Sequence, residues 1–252
     1  MPQVVFDTES SLAVIARLSG DAECLPELAV VRDESEACRR GFQLVIGQRP
    51  EGLRIWRPEG RERPLGVEFS SGKQGFRLTP DRVRHERLIK ALGKANDGQP
   101  RILDATAGLG RDSALIAMAG YQVVMAERVP VIHALLQDGL CRGPGPLMQL
   151  MTLLPCGDAL QQPQAGSYHA VYLDPMFPSR DKSAAVKKDL QWLQWLCPEP
   201  DMADEESMLQ RALIASRYRV VVKRPAKAPP LAQKAPHHSQ PGKTVRFDIY
   251  LP

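Results

Sequence analysis

The feature that most constrains this chain is a change of apolar period that repeats from residue 101 to residue 251. Arg101–Ala105 is a short apolar run ending in an acid, and Asp112–Ala119 has helical spacing. Gln122–Ala126 reads as a strand, Val131–Leu140 as a helix, Leu150–Leu154 and His169–Leu173 as strands. Ser183–Leu196 and Glu205–Ala215 follow as helices, then Tyr218–Val222 and Val245–Leu251 as strands. Short strands alternating with helices of ten or so residues predict an α/β fold: a mostly parallel sheet with helices on both faces. In such sheets the ligand crevice opens beyond the carboxyl ends of the strands, so functional residues are expected just after them.

The first eighty residues are patterned differently. Ser11–Leu18 is spaced as a small amphipathic helix; Leu28–Val31, Gly41–Ile46 and Leu53–Trp56 read as short strands, with Val67–Phe69 as another. Asp81–Lys94 follows as a helix, started at Thr79-Pro80 and stopped at Gly93. This predicts a small N-terminal α/β unit over residues 1–78 and a main domain over 79–252. A length of 252 residues accommodates one large domain with such an extension. No run approaches the roughly 18 apolar residues of a membrane span, and the start lacks a basic n-region and a long apolar h-region. A cytoplasmic protein with no membrane partner is expected. The five cysteines are scattered without a C-x-x-C pair, and the histidines show no ligand spacing, so no disulfide framework or metal is expected.

Charge is uneven although the net is only +4. Arg217 to Arg246 contains eight bases and no acid, which makes it a candidate polyanion contact or a solvated loop. The acids of Glu199–Glu206 just upstream suit a loop and a helix start.

Two segments carry chemistry. After the first strand of the main domain stands Asp104-Ala105-Thr106-Ala107-Gly108-Leu109-Gly110-Arg111-Asp112. Gly108 and Gly110 let the backbone turn sharply near a ligand. The next strand ends in Glu127, placed to accept both hydroxyls of a ribose. A dinucleotide site wants a third glycine where this chain has Ser113, and acids flank the loop. S-adenosylmethionine carries a sulfonium and an amino group, so Asp104 and its neighbours favour it over a pyrophosphate. One strand further, Gly157-Asp158 is a candidate contact for the adenine edge, Asp158 accepting from the exocyclic amine.

The second segment, Asp174-Pro175-Met176-Phe177-Pro178, follows the strand His169–Leu173. It resembles the [D/N]-P-P-[Y/F] signature of methyltransferases acting on exocyclic amines of bases. Such an amine is a poor nucleophile because its lone pair is delocalised into the ring. The Asp174 carboxylate and the Pro175 carbonyl form an acceptor pair able to hold both N–H bonds and turn the lone pair toward a methyl group. Prolines fix the carbonyl direction without a competing N–H. Phe177 offers a face on which the base stacks, worth about 1–3 kcal/mol.

With these motifs in register, the chain resembles the bacterial small-subunit rRNA guanine-N2 methyltransferases of the RsmJ type. The resemblance covers most of residues 65–252, including Asp104–Asp112, Tyr172–Pro178, Lys182–Lys188 (K-S-A-A-V-K-K), Val220–Pro225 and Arg246–Tyr250. It implies a Rossmann-like class I fold, S-adenosylmethionine as cofactor, and transfer to the exocyclic N2 amine of a guanine in 16S rRNA, free or in the small ribosomal subunit. It also implies cofactor contacts at Arg111-Asp112, Glu127-Arg128, Gly157-Asp158 and Asp174. On this reading Lys182, Lys187, Lys188, Lys223 and Arg224 hold the RNA backbone while the base is turned into the pocket. The segment Pro225–Gly242 is then a flap that orders on RNA, and residues 1–78 a docking surface. The D-P-x-F logic leaves adenine N6 and cytosine N4 open as acceptors. A nicotinamide dehydrogenase on the same turn and a non-catalytic RNA-binding assembly factor are the alternatives from other classes.

Overall fold

The computed structural model describes residues 15–70, 79–93, 98–175, 196–197 and 201–252. The chain packs into two compact units, neither continuous in sequence. One comprises Met1–Val67, Val129–Arg142 and Met176–Glu199; the other comprises Glu68–Arg128, Gly143–Pro175 and Pro200–Pro252.

In the first unit, strands β1 (Ile15–Leu18), β2 (Ala29–Val31), β3 (Leu44–Arg49) and β4 (Gly52–Trp56) form a sheet in the order β2-β1-β3-β4. β1 runs parallel to both neighbours, and β3 and β4 form an antiparallel hairpin. Ile15–Leu18 is thus a strand, whereas the spacing predicted a helix over 11–18. Ile15 and Ala16 are both buried because an internal strand of a parallel sheet is covered on both faces, so its apolar residues run consecutively. Residues 11–14 lie outside the described residues. Of the strand expected at 67–69, the structure shows only a bridge at Leu65, paired with Ile55. Helix α1 (Glu34–Arg39) starts at Asp33, whose carboxylate accepts the Glu36 amide at 2.8 Å.

Further along, the helix predicted over 81–94 is broken into α2 (Pro80–Val83) and α3 (Arg87–Leu92). Val83 and Leu88 are both buried, yet five residues apart they fall about 140° out of phase on one continuous helix. A break at Glu86, whose backbone is extended, re-phases the chain so that Leu88, Ala91 and Leu92 share one face.

The second unit holds a seven-stranded sheet. Its strands are β5 (Arg101–Asp104), β6 (Gln122–Met125), β7 (Met151–Leu153), β8 (Tyr168–Leu173), β9 (Ser216–Pro225), β10 (His238–Gln240) and β11 (Val245–Tyr250), in the order β10-β11-β9-β8-β5-β6-β7. β5 to β9 are parallel, and β11 runs antiparallel between β9 and β10, which is the expected mostly parallel sheet. From β5 the chain moves to β6 on one side and later returns to β8 on the other. The reversal of strand order therefore lies between β5 and β8, where an open α/β sheet forms its ligand crevice. Helix α4 (Arg111–Met118) follows β5. Helix α5 (Pro130–Arg142) follows β6 in sequence but belongs to the first unit and packs on β4. There Asp138 accepts the Leu53 amide at 3.0 Å, and Gly139 lies so close to Val67 that a Cβ would stand 2.3 Å from its side chain. A short helix α6 (Gly145–Met148) precedes β7. Helix α7 (Met202–Ala215) opens with Asp201 and Asp204 in a capping box, so part of the acidic block does start a helix.

The proline-rich segment 225–242 has defined internal contacts rather than the form of an unattached flap. Its carbonyl groups are taken by arginines: Arg246 donates to Pro225, Ala226 and Ala228, and Arg224 to Pro229. Leu231 is fully buried, Ala232 donates to Glu205, and Tyr250 donates to Lys234. Prolines lack donors but keep acceptors, and two guanidinium groups satisfy them. Among the described residues, no helix is long and apolar enough to cross a membrane.

Candidate functional site

The parallel register of β5, β8 and β9 sets Asp104 beside Tyr172 and Leu173 beside Val222. Asp174, just past β8, and Lys223, still within β9, therefore stand side by side toward the carboxyl end of the parallel strands. Between β5 and α4 the chain turns through Gly108 and Gly110, whose φ of +54° and +69° are left-handed and suit residues without a Cβ. Gly110 is the N-cap of α4, so Arg111 and Asp112 stand at the helix start.

Asp104 ends β5 and is 2% exposed. Thr106 donates its amide to Oδ1 at 3.2 Å and Ser113 its hydroxyl to Oδ2. Its carboxyl is pushed up to about 7, chiefly by burial; Asp112 and Asp174 add to this, and the Ser113 and Thr106 bonds oppose it. Asp104 was expected to face a cationic ligand. Its hydrogen bonds instead pin the glycine turn to the start of α4, and Ser113, in the place of a third glycine, supplies one of them. In the unfolded chain the ordinary aspartate pKa of about 3.9 applies. The folded state holds the proton longer, so folding stability is lost as pH rises from about 4 through about 7. Asp104→Asn keeps the shape and removes that loss. Denaturant titration is expected to find the variant more stable than the parent at pH 8, by on the order of 1–3 kcal/mol, with the advantage gone near pH 4. Equal pH slopes for the two proteins would contradict this.

Glu127, 6% exposed after β6, accepts the Gly108 amide at 2.9 Å through Oε2, and its own carbonyl accepts the Gly157 amide at 3.0 Å. One acid thus joins the glycine turn to the loop after β7. In that loop Asp158 accepts the Leu160 amide at 2.8 Å, which fixes its side chain in a local turn. Arg111 and Arg128 are exposed, and the Arg128 carbonyl accepts from Cys156 Sγ at 3.6 Å.

The centre of the site is a cluster of four side chains. Lys223 Nζ lies 2.8 Å from Asp112 Oδ2 and 2.6 Å from Asp174 Oδ2. The Tyr172 hydroxyl donates to the same Asp112 oxygen at 2.8 Å. The Asp174 amide donates to Thr106 Oγ1 at 2.6 Å, which ties the second motif to the glycine loop. Burial works against the Lys223 ammonium, but the Asp174 and Asp112 carboxylates outweigh it and hold its pKa well above the ordinary lysine value. Burial raises the Asp174 carboxyl, Lys223 opposes the rise and Asp112 adds to it. The Tyr172 phenol is raised well above its usual range by burial and by the carboxylates around it.

The structure therefore brings together Asp104, Gly108, Gly110, Asp112, Glu127, Gly157 and Asp174, with Pro175 buried at the strand exit. Phe177, Lys182, Lys187 and Lys188 lie outside the described residues. Two expectations of RNA-backbone contact meet a different arrangement. Arg224 is 3% exposed and bonded to Glu205 and the Pro229 carbonyl, so it braces the interior. Lys223 is engaged with the two site acids. Sequence reasoning missed Thr106, Ser113 and Tyr172 as parts of the site. Tyr172 carried a signal, since it stands two residues before Asp174 on a strand and so on the same side.

Acids converging on a tight glycine turn, with Glu127 at the end of the next strand, fit a ligand that joins a ribose to a positive charge. They do not suit a pyrophosphate, which needs free amides and cations. Among the described residues, no group of three side chains has the makings of a metal site.

Comparison with known proteins agrees with this chemistry. A family model described as "Putative SAM-dependent methyltransferase" matches residues 34–252. The chain is 56% identical over 238 residues to ribosomal RNA small subunit methyltransferase J of Alcanivorax borkumensis, covering 94% of this chain and 95% of the relative. It is 42% identical over 196 residues to the protein of the same name from Thioalkalivibrio sulfidiphilus, covering 75% and 76%. Among solved structures, the SAM-dependent methyltransferase NGO1261 from Neisseria gonorrhoeae superposes with a TM-score of 0.69 at 28% identity, covering 94% of this chain and 96% of that one.

Proposed function

Since the chain belongs to the S-adenosylmethionine-dependent methyltransferase family of ribosomal RNA small subunit methyltransferase J, we propose that it methylates the exocyclic N2 amine of a guanine in 16S rRNA. The observation that carries this reading is the placement of Asp174, held at the switch point of the sheet by Thr106 and Lys223 beside the glycine turn. When bound, S-adenosylmethionine supplies an electrophilic methyl group on a positively charged sulfur. Glu127 accepts the ribose hydroxyls, and Asp112, Arg111, Arg128, Gly157 and Asp158 complete the nucleoside contacts implied by the family resemblance.

Asp174 and the Pro175 carbonyl hold the two N–H bonds of the acceptor amine, so that its lone pair points along the line of transfer. With the cofactor bound, Asp174 would keep the amine oriented during transfer, and its carboxylate or water would take the one proton that the methylated nitrogen gives up. No strong base is needed, and alignment supplies most of the acceleration, on the order of 7–11 kcal/mol in well-oriented systems. Phe177 offers the stacking face for the base, and Lys182, Lys187 and Lys188 the contacts to its backbone.

Residues 1–78 serve as a docking unit for the RNA in this reading. In the described part, Arg40 lies 5.1 Å over the Phe42 ring and Arg49 4.0 Å over Trp56, and each is also paired with an acid, Glu36 and Glu34. On this reading the enzyme works in the cytoplasm, beside its ribosomal substrate.

Nucleoside mass spectrometry tests the acceptor. Ribosomal particles from a strain lacking the enzyme are incubated with the protein and labelled S-adenosylmethionine, then digested. N2-methylguanosine is the expected labelled product. Label in N6-methyladenosine or N4-methylcytidine would reassign the amine within the same fold, and salt-sensitive RNA binding without label would leave an assembly factor.

A further inference from the structure

Lys223 joins two motifs that are 62 residues apart in the chain. Asp112 belongs to the helix start after the glycine turn, and Asp174 to the exit of β8. Neither position by itself fixes the distance between them. The ammonium does so, taking Oδ2 of each acid at 2.8 and 2.6 Å. Side-chain alternation on β9 makes this possible, because it turns Lys223 to the site while its neighbour Arg224 turns to Glu205.

We propose that Lys223 is a positioning residue for methyl transfer, bridging Asp112 and Asp174 so that Asp174 presents a fixed carboxylate to the acceptor amine. The inference rests on the reading of Asp174 given above. Without the ammonium, two like charges face each other in a partly buried site, and one of them is relieved by taking up a proton. A protonated Asp174 turns an acceptor into a donor, which holds the amine wrongly and no longer favours a cation nearby. Among the described residues, the charged and titratable groups facing Asp174 are Lys223 from β9, Asp112 from α4, Asp104 from β5 and Tyr172 from its own strand. Of these, only Lys223 is a cation, so its removal shifts the balance in one direction.

The experiment compares the full-length protein with Lys223→Met and Lys223→Arg. S-adenosylmethionine affinity is measured by calorimetry from pH 5.5 to 8.5, and methyl transfer to unmodified ribosomal particles over the same range. Thermal melts confirm that the variants fold. In Lys223→Met, the pH below which affinity and transfer fall is expected to rise by about one unit or more. Lys223→Arg is expected to keep most of the parent profile. Superimposable profiles for Lys223→Met and the parent overturn the proposal. So does a raised KM for particles with a weaker salt dependence and an unmoved pH profile, the mark of a phosphate contact. Loss of transfer at every pH in both variants, with cofactor binding unmoved, assigns the lysine to the substrate instead. A parent protein that never labels particles counts against the proposed function, whereas the calorimetric comparison still decides the role of Lys223.

Discussion

Asp174→Ala is expected to lower turnover on ribosomal particles by about 10³-fold or more while weakening S-adenosylmethionine binding by less than about tenfold. The asymmetry follows from what the side chain does. On the proposed reading, its loss removes half of the acceptor pair that orients the amine, an interaction needed along the line of transfer. The backbone stays in place, because Thr106 still holds the Asp174 amide and Pro175 is still buried. Lys223 keeps Asp112 as a partner, so no buried charge is stranded. Single-turnover transfer measures the first effect and calorimetry the second. Near-parental turnover would remove Asp174 from the mechanism, and a large loss of affinity with intact turnover at saturation would make it a cofactor ligand only.

Glu127→Gln is expected to show the opposite pattern, with affinity weakened by on the order of 10²-fold and turnover at saturating cofactor largely retained. The glutamine amide oxygen can still accept the Gly108 amide, so the glycine turn survives. On the proposed reading, what is lost is the charge that two ribose hydroxyls donate to, and hydrogen bonds to a charged partner contribute about 1.5–3 kcal/mol each. Calorimetric Kd values for parent and variant, alongside transfer rates at high cofactor, distinguish the two losses. An unchanged Kd would show that the ribose is held elsewhere. Together the two substitutions separate binding from alignment within one crevice.

Much of that crevice was legible because it depends on local constraints. Glycines at a turn needing positive φ, an acid at each strand tip and the alternation of strand with helix all leave marks within a few residues. What escaped depends on the third dimension. The basic stretch 217–246 was read as one charged strip, yet alternation on β9 sends Lys223 to the site and Arg224 to the interior. Arg219 and Arg246 are also turned inward, Arg219 donating to the Ala91 carbonyl and Arg246 pairing with the buried Asp248, while Arg217 stays exposed over the Tyr218 ring. Ile15–Leu18 was misjudged for a related reason, since four apolar-rich residues do not reveal whether one face or two will be covered. Likewise, prolines in 225–242 signalled a stiff loop but not the guanidinium groups that would tether its carbonyls.

Helix α5 carries one further lesson. It lies in the chain between two strands of the large sheet, yet its partners are β4, Leu53 and Val67. A polypeptide shortened to begin after residue 78 would keep this helix and forfeit what shields it, laying bare flanks that evolved to stay dry. The amino-terminal portion is accordingly no detachable accessory: trimming it injures the remainder, and a loss of activity on trimming is no proof that the removed part touches RNA.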